Sequence, residues 1–250
     1  KLFQRSALYP ELEWELSLVK DTVNPDHPTY NAKAARAKYP FVGFGDPVLE
    51  GHPGGKRSIE LAALFARGPV ADVDAVRKMP ALPETAGELA AMARALGAGG
   101  DALFLRDRAT ERQVRSMDLA NARVIAFATH GLVAGQLRGV AEPALVLTPP
   151  KTGTAEDDGL LTASEIAQLK LDADWVILSA CNTAAADGTP GAEGLSGLAK
   201  AFFYAGARAL LVSHWSVVSD AAVDLTTGMF TELAESSEIG RAEVLAGAVG

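Results

Sequence analysis

The feature that most restricts this chain is a set of short apolar runs with no alternation. Val124 to Thr129, Trp175 to Ala180 and Ala209 to Ser213 are nearly free of charged side chains and keep no polar face. Successive side chains of a strand point to opposite sides of the sheet, so a strand with one wetted face must alternate. Unbroken runs of this length therefore read as strands covered on both faces, the situation of a parallel sheet with helices on either side. Helical segments separate the runs, as parallel crossovers require. The expectation is an α/β domain of three layers, a mostly parallel sheet flanked by helices.

The other elements follow from local signals. Phe41 to Phe44 reads as a buried strand ending in a turn at Gly45-Asp46-Pro47, and Gly51 to Arg57 as a loop. Leu16 to Val19 has some strand character and Ser58 to Ala66 some helical character. Pro83 opens a helix with Leu89, Met92, Ala93 and Leu96 on one face, and Gly97 closes it. Ala102 to Leu105 and Ala144 to Leu147 are further strands. Thr110 with Gln113 starts a helix to about Met117, and Thr162 with Glu165 starts another to Leu169, each a capping-box pattern. Leu195 to Tyr204 is a helix ended by Gly206, and Ala221 to Leu233 a last one.

Composition narrows the class. With 250 residues, 48% apolar and 22% charged, the chain has the mix of a folded globular protein rather than a disordered or fibrous one. A net charge of −8 argues against nucleic acid or an anionic membrane as the main partner. The most apolar long window, Leu195 to Trp215, contains Lys200 and Arg208, which a membrane-spanning helix would rarely hold at its centre. The single cysteine, Cys181, cannot form an internal disulfide and suits a reducing, cytoplasmic setting. Lys1 to Glu15 does not read as a signal peptide, and a start without Met suggests a fragment of a longer protein. His130, Cys181 and His214 have no zinc-ligand spacing, so neither metal nor cofactor is expected. Gly43-x-Gly45 is only a partial dinucleotide pattern, with Val48 at the third glycine position.

In an open parallel sheet, reacting groups collect beyond the carboxyl ends of the strands. One run delivers His130-Gly131 and another Cys181-Asn182. If those strands are neighbours, imidazole and thiol meet at one edge, and a nearby base is what turns a thiol into a nucleophile at neutral pH. Gly131, lacking a side chain, would let its backbone N–H reach an oxyanion, with the Cys181 N–H as a second donor. Each residue taken alone also reads as core: a lone cysteine after an apolar strand is more often inert, a lone histidine more often structural. Asp187, in the loop after Cys181, could face a basic substrate group or serve only to keep that loop soluble.

The ordered set of motifs resembles the CHAT domain, a family grouped with caspases and separase among the caspase-like cysteine peptidases. It comprises Phe127-Ala128-Thr129-His130-Gly131, Leu145-Val146-Leu147-Thr148-Pro149, Asp158-Gly159-Leu160-Leu161-Thr162-Ala163 and Leu178-Ser179-Ala180-Cys181-Asn182-Thr183. Gly194 to Ala199, Ala201 to Ala207 and Ser213-His214-Trp215 complete it, within a match running from about Phe41 to Phe230. The resemblance implies a caspase-like fold and a histidine–cysteine dyad, His130 as general base and Cys181 as nucleophile, cleaving a peptide bond in a protein or peptide substrate. The caspase pattern likewise places its histidine about 50 residues before the cysteine. The alternative it leaves open is a non-catalytic CHAT-type interaction module.

The resemblance also implies a division: residues 1–80 as a degenerate half that completes the sheet, 81–250 as the catalytic half. CHAT domains are commonly preceded by tetratricopeptide repeats, which are expected elsewhere in the full-length chain. Ser213, Trp215 and Asp220 fall where relatives bind substrate. There the family usually reads Trp-x-Val-x-Asp, whereas Trp215 is followed by Ser216-Val217-Val218-Ser219 and Asp220 comes one place late. Ser219 therefore stands where separase-like relatives carry an acid for a basic substrate side chain. Members also tend to continue into an aromatic-rich segment, so an edge strand is expected beyond Gly250.

Overall fold

The apolar runs do form strands, and they lie side by side. A computed structural model describes residues 2–5, 13–18, 37–52, 70–132, 142–181 and 192–213. In chain order its strands are β1 (Leu2–Arg5), β2 (Glu13–Leu18), β3 (Tyr39–Gly45), β4 (Leu103–Leu105) and β5 (Ala122–Leu132). These are followed by β6 (Ala144–Val146), β7 (Leu160–Thr162), β8 (Trp175–Cys181) and β9 (Ala209–Ser213). The helices are α1 (Val73–Arg77), α2 (Glu84–Ala95), α3 (Glu111–Ser116), α4 (Ala163–Ile166) and α5 (Ala192–Ala205). The expected helices over Ser58–Ala66 and Ala221–Leu233 lie outside the described residues. Among the described residues no helix is long and apolar enough to cross a membrane.

The main path of the sheet runs β1-β2-β9-β8-β5-β3-β4. Five of these strands, β4, β3, β5, β8 and β9, are mutually parallel. The rest is antiparallel: β2 pairs β9, β1 pairs β2, β6 pairs the Gly131–Leu132 end of β5, and β7 pairs β6. The expectation of a mostly parallel sheet is thus corrected to a mixed one. Unbroken apolar runs report only the centre of a sheet, where both faces are covered. The antiparallel additions sit at its edge and end, in segments such as Glu13-Trp14-Glu15-Leu16, which mixes charged and apolar residues, or the three-residue β6 and β7, too short to reveal their direction.

Alternation along the central strands feeds two cores. On one face Phe41, Val124, Ala126 and Ile177 pack with Leu89 and Met92 of α2. On the other, Val42, Ile125, Phe127 and Leu178 pack with α3, α4 and α5. Phe127 is fully buried, its ring 5.3 Å from Phe44 and 5.6 Å from Phe202, which joins sheet and α5. The opposite ends of the strands are tied by charge: Arg208 bonds Asp172 and Asp174, and Arg123 also reaches Asp174.

Helix ends obey the local signals. Thr110 caps α3 by accepting from the Gln113 amide, and Thr162 with Glu165 forms a complete capping box on α4. That helix stops at Ile166, short of the expected Leu169. Gly206 adopts φ +115 after α5, and a side chain there would strike the Leu171 carbonyl. Only glycine makes that turn without strain.

A buried carboxylate braces the β7 entry. Glu111, 1% exposed, accepts from the backbone amides of Asp158 and Gly159 and pairs with Arg115. Burial pushes its carboxyl up to about 8, against the hydrogen bond from Asp158. Asp158 in turn accepts from the amides of Ala71 and Leu160, and burial raises it too. The pair holds the segment leading into α1 against the β6–β7 hairpin.

Two outcomes follow from this packing. Phe127→Ala removes a ring wedged between two others and is expected to lose about 3–5 kcal/mol of stability, read from the urea unfolding midpoint. For Glu111 the sign is set by its upward shift. Between 4.5 and about 8 the folded state keeps a proton that the unfolded chain has released, so its contribution is full below that window and is lost as pH rises through it. Melting temperature against pH over this range is expected to slope less in Glu111→Gln than in the parent.

Candidate active site

Parallel pairing of β5 with β8 runs in register from Val124↔Trp175 to His130↔Cys181. The histidine and the cysteine are therefore backbone neighbours at the carboxyl ends of adjacent strands. His130 shares the parity of Ala126 and Ala128, and Cys181 that of Ile177 and Ser179, so both occupy register positions of the α2 face. β5 extends past the expected Thr129 to Leu132, so His130 and Gly131 lie within the strand rather than after it. Gly131 is buried and paired with Leu145 of β6.

The His130 ring is 3% exposed, and its Nε2 lies 2.7 Å from the Pro80 carbonyl oxygen. A carbonyl can only accept, so Nε2–H is the donor. In the neutral ring this tautomer leaves Nδ1 as the basic nitrogen. The carbonyl also orients the ring.

Pro80 is held by a short backbone ladder. It bridges Gly51 in parallel fashion, while the Ala81 amide donates to Gly51 O and the Gly51 amide to Met79 O, at 2.9 and 3.0 Å. A side chain at position 51 would meet the carbonyl oxygens of Lys78 and Met79 at 2.6 Å, so this contact needs glycine. Asp158, through Ala71, and Arg77, bonded to the Pro150 carbonyl, secure the same segment lower down.

The neighbouring strand ends form a tight polar rim. Asp46 after β3 and Arg106 after β4 both take left-handed backbone, φ 44 and 54, and bond each other through backbone and side chain. Non-glycine residues in that region carry a strain of about 1 kcal/mol or more. Thr85 of α2 accepts from the Asp46 amide, and Thr148 joins Val48 to Arg106. The glycines of Gly43-x-Gly45 serve packing: a Cβ on Gly45 would lie 2.6 Å from Leu89 and 2.8 Å from the Ala128 carbonyl. They let α2 lie close on the sheet.

Glu88 of α2 is 5% exposed, on the sheet-facing side of its helix. The Ser179 side chain lies near enough to its carboxyl to affect its titration, while Oε1 has no hydrogen-bond partner among the described residues. Burial raises this group to about 7, Ser179 opposing and Glu84 adding to the shift. Among the described residues, no group of three His, Cys, Asp or Glu is placed to hold a metal ion.

Of the residues singled out from sequence, His130, Gly131 and Cys181 share one sheet edge, and Ser213 ends β9, on the far side of β8. Trp215, Asp220 and Asp187 lie outside the described residues. Sequence reasoning missed Gly51, Pro80 and Glu88. A charged residue inside the apolar stripe of α2, one place before Leu89 and four before Met92, was the available signal for Glu88. Pro80 acts through its backbone, which no residue pattern marks.

No curated protein matches the chain. The CHAT domain family model matches residues 28–249, most of the chain. The central parallel strands, the helices on both faces and this match agree, and the chain belongs to the caspase-like CHAT domain family.

Proposed function

We infer that the protein is a cysteine endopeptidase using His130 and Cys181 as a dyad. The observation that carries this reading is the in-register pairing of the two residues at the carboxyl ends of adjacent parallel strands. His130 Nδ1 takes the thiol proton, and the Cys181 thiolate attacks the scissile carbonyl carbon. Backbone N–H groups of Gly131 and Cys181 receive the oxyanion. The imidazolium, steadied by the Pro80 carbonyl, protonates the leaving amine; water, deprotonated by the same ring, then releases the acyl group. Ser213, Trp215, Asp187 and Asp220 are the proposed substrate contacts, with residues 1–80 completing the sheet and 81–250 carrying the chemistry. Tetratricopeptide repeats in a longer chain are the proposed regulators, and the cytoplasm the proposed setting.

A second reading, a non-catalytic interaction module, draws on the near-complete burial of the His130 ring. The two part on the thiol. Cys181→Ala is expected to abolish cleavage of a peptide library while melting within a few degrees of the parent, since the side chains are similar in size. In the parent, a peptidyl acyloxymethyl ketone is expected to label Cys181 far faster than free cysteine, and His130→Ala to slow labelling about a hundredfold or more. Equal cleavage by mutant and parent, or labelling no faster than free thiol, rejects the peptidase.

A further inference from the structure

Glu88 is difficult to explain as a structural residue. It projects from α2 into an interface otherwise made of Leu89, Met92, Ala126 and Ile177. A carboxyl there loses its hydration and regains a single described contact, from Ser179, leaving Oε1 unpartnered. Leucine at the same place would bury apolar surface with no such penalty, so the fold gains little from an acid. What distinguishes the position is its partner. Ser179 lies two residues before Cys181 on β8, on the same face parity, and its register partner Ala128 lies two before His130. Two residues of strand span about 7 Å, so Glu88 is anchored one strand repeat below the pair.

Charges about one strand repeat apart couple more strongly within a protein than in bulk water. Among the described residues few competing charges surround it. On its own helix Glu84 is the acid that couples to it. Among the described residues, β3 and β4 bring no charged side chain of their own, and Asp46, at the rim, is paired with Arg106. Asp101 stands in the turn before β4, β5 brings His130, and β8 brings Cys181.

We propose that Glu88 is a positioning residue of the dyad whose buried carboxyl, acting through the Ser179 strand, sets the pH at which the Cys181 thiolate forms. Protonated, it is neutral and leaves the thiolate unopposed. Ionised, it places a negative charge beneath the thiolate's strand and disfavours a second one. The upward displacement of its titration to about 7 puts this change in the neutral range. The inference rests on the dyad reading of His130 and Cys181 but not on peptide turnover.

The test is the rate of Cys181 alkylation by iodoacetamide from pH 5 to 9, in the full chain and in Glu88→Gln. The parent is expected to show two coupled ionisations. Glu88→Gln is expected to show one, with the acid limb shifted down by about one pH unit, and Glu88→Asp to restore the two-step profile. A direct measurement guards against a poorly folded variant. The Glu88 carboxyl, followed by carbon-13 NMR in the parent and in Cys181→Ala, is expected to titrate lower once the thiolate is gone. Identical alkylation profiles, or a Glu88 titration indifferent to Cys181, overturn the proposal. Coupled titration without peptide cleavage would keep it and sink the peptidase, whereas cleavage with uncoupled titration would do the reverse.

Discussion

The arrangement depends on the register of one parallel pair. β5 and β8 align over seven residue pairs, and the last pair joins His130 to Cys181. A slip of one residue would move either strand's side chains to the opposite face, because strand parity is two. The register is fixed by burial rather than by the residues at its end. Val124, Ala126 and Ile177 must face α2 while Ile125, Phe127 and Leu178 face the other core. The apolar bodies of the strands thus align the two residues at their ends.

The same division of faces explains why α2 bears on the proposed dyad. It starts just after Pro80, whose carbonyl orients the imidazole, and it lies close to the sheet because Gly43 and Gly45 leave room. Thr85 ties its first turn to the Asp46 rim, and Glu88 reaches the strand that ends in Cys181. Helix packing and the placing of polar groups are here one problem. A substitution that lifted α2 by a fraction of an ångström would disturb ring orientation and local charge together, without touching His130 itself.

Much of the centre was legible in the sequence. The runs ending at Ala180 and Ser213 became β8 and β9 to within a residue, and Pro83, Thr110, Thr162 and Gly206 act at helix ends as their chemistry dictates. The ordered motifs pointed to the family that the chain matches. The edges were legible only in part: Ala144 to Leu147, expected as a strand, became β6, and the strand character at Leu16 to Val19 falls at the end of β2. β7 has three residues, too few to show a period, and α1 is barely more than a turn. β1 and β2 mix polar with apolar residues, so the antiparallel margin they form left no unbroken run. At the site, His130 and Cys181 announce themselves by side chain. Gly51 and Pro80 work through backbone positions that only folding defines.

That last distinction bears on how such sites are recognised. Every residue type has a carbonyl, so the group that steadies His130 cannot be lost by exchanging the side chain at position 80. A comparison of side-chain identities would count two members of this constellation and overlook the third. Its dependence is displaced to Gly51, where any added carbon collides with the Lys78–Met79 backbone. In effect a glycine some thirty residues upstream is the genetic handle on an oxygen atom, and drift at that codon would shift the partner of the imidazole without touching the ring.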